Sequence, residues 1–420
     1  MSKNILFYML TFSVLLATLL LAQAPEMDWA TGHGTDYGNH VHHGMQTHDG
    51  GYIAVGDCGD ESDYSNMLIV KTDSLGQLMW QHIIGEPNQQ DMANSVCQDK
   101  DGNFYVAGGL VSNGKQESAL VKFSQSGQII WQKIYPHPGA DVLEGISLTR
   151  DGNLIATGYT GSNDYGGRFI VMDGKGLLMK IDSDGNVIWD KSLASLPQGM
   201  MAFEVDEGYA IAGTVWKYKD GKEDHQDVCL VITDHEGNEQ WSGTYGDTTE
   251  WDQCYDFAVT SDGGYIFAGH TRSYGVVNWD FFLLKVGKDR NEQWHRTFGQ
   301  PRGYNANYIH DESYGVKETA DGGFAMVGGT GDEYPYSETG HSKGPSDIWY
   351  AYLVKTDAQG NFQWEGVYGD SSGHNAGEYL DVTRDGGFII FSDSDTYGEM
   401  RGNSFGFLKI KPDKKRQQSK

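Results

Sequence analysis

"DGGYIFAG", residues 262–269, is one of seven copies of an element in which a polar turn precedes an apolar strand that ends in glycine or serine. The other copies begin at residues 49, 101, 151, 206, 321 and 385. A second element, a strand, a polar turn and a strand bearing tryptophan, follows the first six copies, as in "LIVKTDSLGQLMW" (68–80). Such self-similarity is typical of repeat architectures. Each unit contains four short strands, the content of one β-propeller blade.

The two ends of the chain indicate how the repeats close. Tryptophan marks the outer strand of six units, at Trp80, Trp131, Trp189, Trp241, Trp294 and Trp364. A seventh, Trp29, precedes the first turn, whereas the last unit, "FGFLKIKPDKK", stops after its third strand. An N-terminal strand that completes the last unit explains both facts, while an open solenoid needs capping repeats instead. The sequence therefore predicts an all-β, seven-bladed β-propeller whose ring is closed by the N-terminal strand around Trp29.

The first residues predict export. An apolar run from Ile5 to Leu21 follows Lys3 and precedes Ala22, which is the layout of a secretory signal peptide. We expect a signal peptide over 1–22, a propeller over 23–411 and a basic polar tail over 412–420, with the protein secreted or periplasmic. An uncleaved membrane anchor is the alternative. No second apolar run is long enough to span a membrane.

The charge and the cysteines restrict the partners. A formal net charge of −27 argues against nucleic acid and anionic membranes, which repel a polyanion at long range. An anionic ligand must therefore meet a local basic patch. The four cysteines have no metal-type spacing and establish no disulfide pair: Cys58, Cys97, Cys229 and Cys254. A monomer is expected.

The variable loops indicate where a site lies. In each unit the two short turns share one end of the blade, here the turn face, and the longer loops and blade crossings share the other, the loop face. Function usually resides on irregular loops held by a rigid scaffold. Seven residues before the Asp of each turn, where the inner strands begin, stand His42, Asn94, Glu144, Gly199, Tyr255, Tyr314 and Glu378. This ring is either a site at the channel mouth or the lining of a polar, water-filled channel.

One side of the ring, from the fifth blade round to the first, gathers histidine, tyrosine, arginine and lysine. The candidate catalytic residues are His43, His270, Arg272, Tyr274, His310 and Tyr314. The candidate substrate-binding residues are His42, Tyr255, Trp279, Arg302, Tyr308, Tyr334, Lys343 and His374.

These residue types suit β-elimination on an anionic, uronic-acid polysaccharide. A neutral His or Tyr removes the proton beside the carboxylate, and a Tyr hydroxyl protonates the leaving oxygen. Arg272 is the preferred group to neutralise the carboxylate and stabilise the developing enolate. A loop-bracing salt bridge is the alternative role for Arg272. Paired carboxylates for glycoside hydrolysis are not selected by any spacing.

Metal binding is the rival chemistry. His40 and His42 are two residues apart and point the same way on a strand, whereas His43 points the opposite way unless a bulge intervenes. Spacing fixes no further ligand, so no metal-binding residue is assigned. "DCGDESD" (57–63) resembles a calcium-binding loop, although a solvated acidic loop is favoured. The predicted reaction requires no cofactor, and a structural calcium or a histidine-bound metal stays open.

The repeat segments "DGGYIFAGHTRSYG", "DFFLLKV" and "NEQWHRTFG" resemble those of exported bacterial propeller-repeat proteins. Among propellers of this size the chain looks like the seven-bladed ulvan lyases, polysaccharide lyases that act on sulfated algal ulvan. That resemblance implies a His/Tyr acid–base pair, an arginine, and a substrate lying across the channel mouth. The competing function is a non-catalytic propeller that binds glycan or protein through the same face, since a fold alone does not decide function.

Overall fold

The computed structural model describes residues 23–59, 64–163, 170–332 and 345–413. Its strands form seven four-stranded antiparallel sheets, which confirms the predicted seven-bladed propeller. The predicted signal peptide and most of the basic tail lie outside the described residues. Among the residues that the structure describes, no helix is long and apolar enough to cross a membrane.

The first four blades follow one another along the chain. Blade 1 contains β2 (Asn39–Gln46), β3 (Tyr52–Gly59), β4 (Ser65–Thr72) and β5 (Leu78–Ile84). Blade 2 contains β6 (Met92–Gln98), β7 (Phe104–Ser112), β8 (Lys115–Phe123) and β9 (Ile129–Tyr135). Blade 3 contains β10 (Ala140–Leu148), β11 (Leu154–Ser162), β12 (Lys175–Ile181) and β13 (Val187–Leu193). Blade 4 contains β14 (Met201–Val205), β15 (Gly208–Lys219), β16 (Lys222–Thr233) and β17 (Glu239–Tyr245).

The last three blades complete the ring. Blade 5 contains β18 (Asp256–Val259), β19 (Tyr265–Thr271), β20 (Asp280–Val286) and β21 (Glu292–Phe298). Blade 6 contains β22 (Ile309–Glu318), β23 (Phe324–Asp332), β24 (Tyr350–Thr356) and β25 (Phe362–Tyr368), with a short 3-10 turn at Pro345–Asp347. Blade 7 contains β26 (Asn375–Val382), β27 (Phe388–Ser394), β28 (Ser404–Ile410) and, as its outer strand, β1 (Met27–His33).

The closure of the ring is the one predicted from Trp29. This residue pairs with Lys409 of β28, so the N-terminal strand is the outer strand of blade 7. A Cβ on Gly76, in the outer turn of blade 1, would meet the Trp29 ring. The same relation joins Trp80 to Gly127 one blade further on. The repeated tryptophan therefore fastens the outer strand of each blade to the outer turn of the next, and Trp29 supplies the contact at the seam.

Apolar side chains fill the space between neighbouring blades. Phe257, Phe267 and Phe282 of blade 5 pack with Ala212 and Leu230 of blade 4 in one such cluster. The middle strands are buried on both faces, as the fully buried β4 illustrates. Burial on this scale contributes roughly 25 cal/mol per Å² of apolar surface, so these layers hold the ring in shape.

Bulges in the inner strands carry the ring of polar positions into the channel. The register between the two innermost strands shifts at the ring residue in five blades: His42, Asn94, Glu144, Tyr314 and Glu378. A bulge inserts one extra residue and re-aims its side chain. It also presses a carbonyl of the inner strand against the glycine that ends the repeat. A Cβ on Gly328 of blade 6, for example, would overlap the Glu312 carbonyl.

Candidate functional site

A cavity of about 250 Å³ lies at the axis of the ring, towards the loop face. Six of the seven predicted ring positions line it together: His42, Asn94, Glu144, Tyr255, Tyr314 and Glu378. Gly199 of blade 4 is not part of the lining, where Met200 and Met201 stand instead. Four carboxyl groups and no lysine or arginine belong to the described lining. The cavity is therefore acidic as well as aromatic.

A chain of hydrogen bonds runs across the inner strands of blades 1 to 3. His42 Nδ1 donates to Asn94 Oδ1 over 2.9 Å and also lies 3.1 Å from the Ala93 carbonyl. Asn94 Nδ2 donates to Glu144 Oε2 over 2.9 Å. Burial and the neighbouring His40 lower the pKa of His42 to about 3, and burial raises the pKa of Glu144 to about 7. His42 is therefore neutral near pH 7.

Blades 1 and 7 bring a second group of titratable side chains to the same cavity. His40 Nε2 lies 3.6 Å from Asp393 Oδ2 and 3.9 Å from Glu378 Oε2, and His42 Nε2 lies 3.3 Å from Asp57 Oδ1. Burial acts to lower the pKa of His40, but Asp393 and Glu378 outweigh it and raise the pKa to about 10. Burial raises the pKa of Asp57 to about 6.

The bulge at His42 corrects the expectation for His43. We expected His43 to face away from His42, but both residues and His40 line the cavity. His43 is buried and its ring stacks on Tyr379, with ring centroids 4.1 Å apart. Burial and the nearby Lys317 hold the pKa of His43 well below its usual range, so the ring is neutral. Its Nδ1 has no hydrogen-bond partner within the described chain.

Blade 6 supplies a carboxylate held between an imidazole and a phenol. Glu312 accepts a hydrogen bond of 2.6 Å from the Tyr314 hydroxyl and one of 3.0 Å from His310 Nδ1. Burial acts to raise the pKa of Glu312, but these two donors and the nearby His270 lower it to about 2. Glu312 is therefore ionised and fixes the direction of the Tyr314 hydroxyl.

An aromatic path leads from this cavity to the loops of blade 5. Tyr255 contacts the Tyr314 ring, at a centroid separation of 5.1 Å, and stacks on His270 at 4.7 Å. Trp279 meets the edge of His270 at 4.9 Å. Burial lowers the pKa of His270 to about 4. His270 is thus a neutral ring behind Tyr255, and it is absent from the described cavity lining.

Arg272 lies at the outer end of the path. Its guanidinium carbon is 5.9 Å from the Trp251 ring and 5.8 Å from the Trp279 ring. Trp216 contacts Trp251 on the far side, at 5.5 Å. We call these three partly exposed rings, Trp216, Trp251 and Trp279, the tryptophan row. Within the described ranges no carboxylate pairs with the exposed Arg272, so the alternative of a loop-bracing salt bridge finds no support there.

Other predicted site residues lie away from the cavity. Tyr274 stacks between Phe282 and His295 in the outer part of blade 5. Its backbone has a φ of 59°, in the left-handed region that non-glycine residues seldom adopt.

The remaining predicted residues belong to blades 6 and 7. Arg302 donates to main-chain carbonyls of Thr330, Ile348 and Pro345 and braces the loops of blade 6. Tyr308 and His374 are outside the cavity lining. Tyr334 and Lys343 fall outside the described residues.

Sequence reasoning missed the partners that the propeller brings in from other blades. Lys317, three residues beyond Tyr314, donates to the Tyr379 hydroxyl over 2.7 Å. Asp393 and Asp57 face the two histidines from second strands. Glu312 alternates with His310 and Tyr314 along one strand, and this spacing of two is the signal that could have found it.

Fold and cavity together define a seven-bladed β-propeller with a polar site where its inner strands meet the loop face. Residues 23–231 match the family model described as "Outer membrane protein assembly factor BamB", of PQQ_2 repeats. The blades within this stretch are therefore similar to BamB repeats. No curated protein matches the sequence.

Several solved structures are similar to the chain at low sequence identity. The Neurospora crassa Pan2 WD40 domain is 10% identical, with 94% of this chain and 97% of that chain covered and a TM-score of 0.56. "YCF48 bound to D1 peptide" is 11% identical, with 93% and 98% covered and a TM-score of 0.48. Drosophila Plexin A in complex with Semaphorin 1b is 6% identical, with 93% and 88% covered and a TM-score of 0.48. At 10% identity the likeness to the Pan2 domain extends to the fold alone.

Proposed function

We propose that the protein binds an acidic glycan across its loop face and cleaves it by β-elimination. The observation that carries this proposal is Arg272, an exposed guanidinium between Trp251 and Trp279 with no carboxylate partner in the described chain. Two indole faces beside one available cation suit a sugar ring that bears a carboxylate. The rest of the protein is acidic, so Arg272 supplies a positive charge for an anionic sugar only at this place. The cation is therefore more selective for such a sugar.

The tryptophan row gives the glycan a direction. It runs from Trp216 through Trp251 to Trp279, and Trp279 contacts His270 behind Tyr255. A chain stacked on the row therefore extends towards Tyr255 and Tyr314 at the cavity. A uronate held by Arg272 lies on the same path as the groups that would react.

The reaction needs a base, an acid and a neutralised carboxylate. The base takes the proton from the carbon beside the carboxylate, a C=C bond forms, and the C–O bond to the neighbouring sugar breaks. The leaving oxygen takes a proton from the acid. We assign the base to His43, a neutral ring in the cavity, and the acid to Tyr314, whose hydroxyl is oriented by Glu312. His270 positions Tyr255 from behind.

The test incubates the protein with ulvan and with other uronate polysaccharides, beside a neutral polysaccharide, and follows the absorbance of the new C=C bond. We expect Tyr314→Phe and His43→Gln to lower the rate by about 100-fold or more, the usual contribution of a positioned acid or base. Arg272→Ala should weaken turnover of uronate polymers.

Two substitutions on the turn face serve as matched controls. Tyr105→Phe removes a hydroxyl that lies 3.3 Å from Asp99, and Arg150→Ala removes an exposed arginine near Asp206. Both should leave the rate unchanged. No rise in absorbance with the wild-type protein on any uronate polymer would refute β-elimination.

A non-catalytic glycan-binding propeller is the second candidate. The burial of His270 behind Tyr255 favours it, because this predicted catalytic imidazole is shielded from a substrate. Binding of uronate polymers that weakens in Arg272→Ala, without any absorbance change, identifies this function. Affinity electrophoresis in gels containing each polymer measures that binding directly.

Export is the remaining part of the proposal, and it rests on the apolar run from Ile5 to Leu21. Cell fractionation followed by N-terminal sequencing tests it. The expected mature protein begins at Gln23 outside the cytoplasm. A chain that keeps Met1 in the soluble cytoplasmic fraction contradicts it.

A further inference from the structure

We propose that the cavity holds one transition-metal dication, with zinc as the reference ion, between blades 1 and 7. His40 and His42 supply imidazole nitrogens and Asp57 supplies a carboxylate oxygen. Glu378 and Asp393, which both face His40 Nε2, form a second pair of oxygen donors. This site goes beyond the proposed reaction and does not depend on it.

The distances between the donor atoms fit a single ion. His40, His42 and Asp57 each offer one atom within 4.8 Å of the others, and so do His40, Glu378 and Asp393. Zinc bonds of 2.0–2.1 Å in a tetrahedron imply donor atoms roughly 3.4 Å apart. The observed separations of 3.3 Å from His42 to Asp57 and 3.6 Å from His40 to Asp393 agree with that spacing.

The strands bring these donors together for local reasons. His40 is directly paired with Asp57 on the neighbouring strand. The bulge that follows turns His42 into the cavity, and an equivalent bulge in blade 7 does the same for Glu378. Asp393 Oδ1 accepts from the Val41 main-chain N–H over 2.9 Å, which leaves Oδ2 facing His40.

The hydrogen bonds around His42 give an independent indication of a cation. Asn94 Nδ2 donates to the Leu143 carbonyl and to Glu144, so its Oδ1 must face His42. His42 Nδ1, between that oxygen and the Ala93 carbonyl, must therefore carry the hydrogen. This leaves Nε2 as the nitrogen that faces the Asp57 carboxylate, 3.3 Å away. That pair of atoms is placed to share a bound cation, and a second-nitrogen hydrogen bond of this kind is typical of metal-bound histidine.

The charge of the cavity points the same way. Its described lining places Asp57 and Glu378 beside the two histidines, whereas Lys317 already compensates Asp256. Carboxylates withdrawn from water need compensating charge. Two imidazole donors favour zinc or a neighbouring transition metal over calcium, which prefers oxygen ligands alone.

The experiment uses the full mature chain, stripped with a chelator and titrated calorimetrically with zinc chloride. We expect one ion per chain. Because His40 belongs to both donor groups, His40→Ala should abolish this binding, and the nearly isosteric Asp57→Asn should weaken it strongly. Asn94→Ala, which removes the acceptor that orients His42, should weaken it by about 10- to 100-fold. His48→Ala is the matched control, since His48 is exposed on the turn face.

Cobalt(II) provides a readout that does not require a stable variant. The wild-type protein loaded with cobalt should show the visible absorption of a low-symmetry, nitrogen-ligated ion, and equimolar zinc should remove it. Circular dichroism verifies the fold of each variant. Absence of the cobalt band, binding of calcium in place of zinc, or unchanged zinc affinity in folded Asp57→Asn overturns the proposal.

Discussion

Replacing Lys317 by methionine tests how three inner strands are held together at the channel. Lys317 of β22 donates to the Tyr379 hydroxyl of β26 over 2.7 Å. It is also the nearby cation that opposes the raised pKa values of Asp256 on β18 and Asp381 on β26. The ammonium group of Lys317, on a strand of blade 6, therefore compensates the charge of carboxylates in blades 5 and 7.

The expected loss of stability depends on the solvent and the hydrogen bonds that the two carboxylates keep after the substitution. Asp256 is 1% exposed, so water cannot solvate its carboxylate once the Lys317 cation is removed. Removing one partner of a buried ion pair costs about 3–5 kcal/mol. Asp256 retains a 3.0 Å hydrogen bond from the Val316 N–H, and Asp381 retains one of 2.9 Å from Gln46. We therefore expect the lower end, a loss of about 3 kcal/mol in the free energy of unfolding.

Urea unfolding at pH 7 measures this loss. The exposed Lys288, which pairs with Asp206 on the turn face, is the matched control, and Lys288→Met should change stability by less than about 1 kcal/mol. Adding Asp256→Asn to Lys317→Met should recover stability, because the uncompensated charge disappears. The deficit of Lys317→Met should also shrink towards acid pH, where Asp256 is neutral in either protein. A deficit below about 1 kcal/mol, or no recovery in the double variant, would refute a shared buried charge.

Three further predictions concern the ring, the repeat glycine and a buried imidazole. Deleting residues 23–33 leaves the β28 edge unpaired, so we expect a lower melting temperature and aggregation in size-exclusion chromatography. A deletion variant that stays monomeric with an unchanged melting temperature contradicts the role of this strand in closing the ring. Gly269→Ala should lose about 2–3 kcal/mol, because its Cβ overlaps the Gln253 carbonyl, whereas Gly59→Ala meets only ordinary contacts. The pKa of His270, which faces Tyr255 and, on β22, Glu312 and His310, falls to about 4 on folding. A depressed folded-state pKa means that stability is lost as the pH falls from 6.5 to 4, by about 3 kcal/mol. His270→Gln should remove that part of the pH dependence in urea titrations, and an unaltered slope contradicts it.

The parts of the fold that repeat could be predicted from the sequence. Seven copies of the turn and strand fixed the blade count, and the position of Trp29 ahead of the first copy predicted the closing strand that pairs with β28. Counting back seven residues from the Asp of each turn also predicted which residues line the channel. That succeeded because every inner strand ends at the same turn and lies along the same axis.

The bulges could not be read in the same way. Strict alternation placed His43 opposite to His42, whereas the extra residue in the strand brings both to the cavity. The sequence does carry an indirect signal, the glycine that ends six of the seven repeats. It is needed because a bulged inner strand presses a carbonyl against that position, as Glu312 does at Gly328 in blade 6.

Contacts around the ring were the second gap. His40 and Asp393 are separated by most of the chain, yet they lie 3.6 Å apart across the seam between blades 1 and 7. No spacing within one repeat encodes such a pair, since it depends on ring closure. Arg272 and Tyr274 show the opposite case, since they are two residues apart in the sequence and were predicted to act together. Tyr274, with a φ of 59°, packs instead in the outer part of blade 5.

The two proposed sites place opposite charge on opposite sides of one channel. Arg272 presents the available cation at blade 5, while the cavity lining carries Asp57, Glu144, Asp256 and Glu378. A glycan carboxylate that advances from the tryptophan row towards Tyr314 therefore meets repulsion unless the carboxylates at blades 1 and 7 are compensated. A bound dication supplies that compensation. Glycan affinity that is indifferent to zinc would confine the glycan to the tryptophan row, whereas affinity that rises with zinc would extend it into the cavity, where the reacting groups lie.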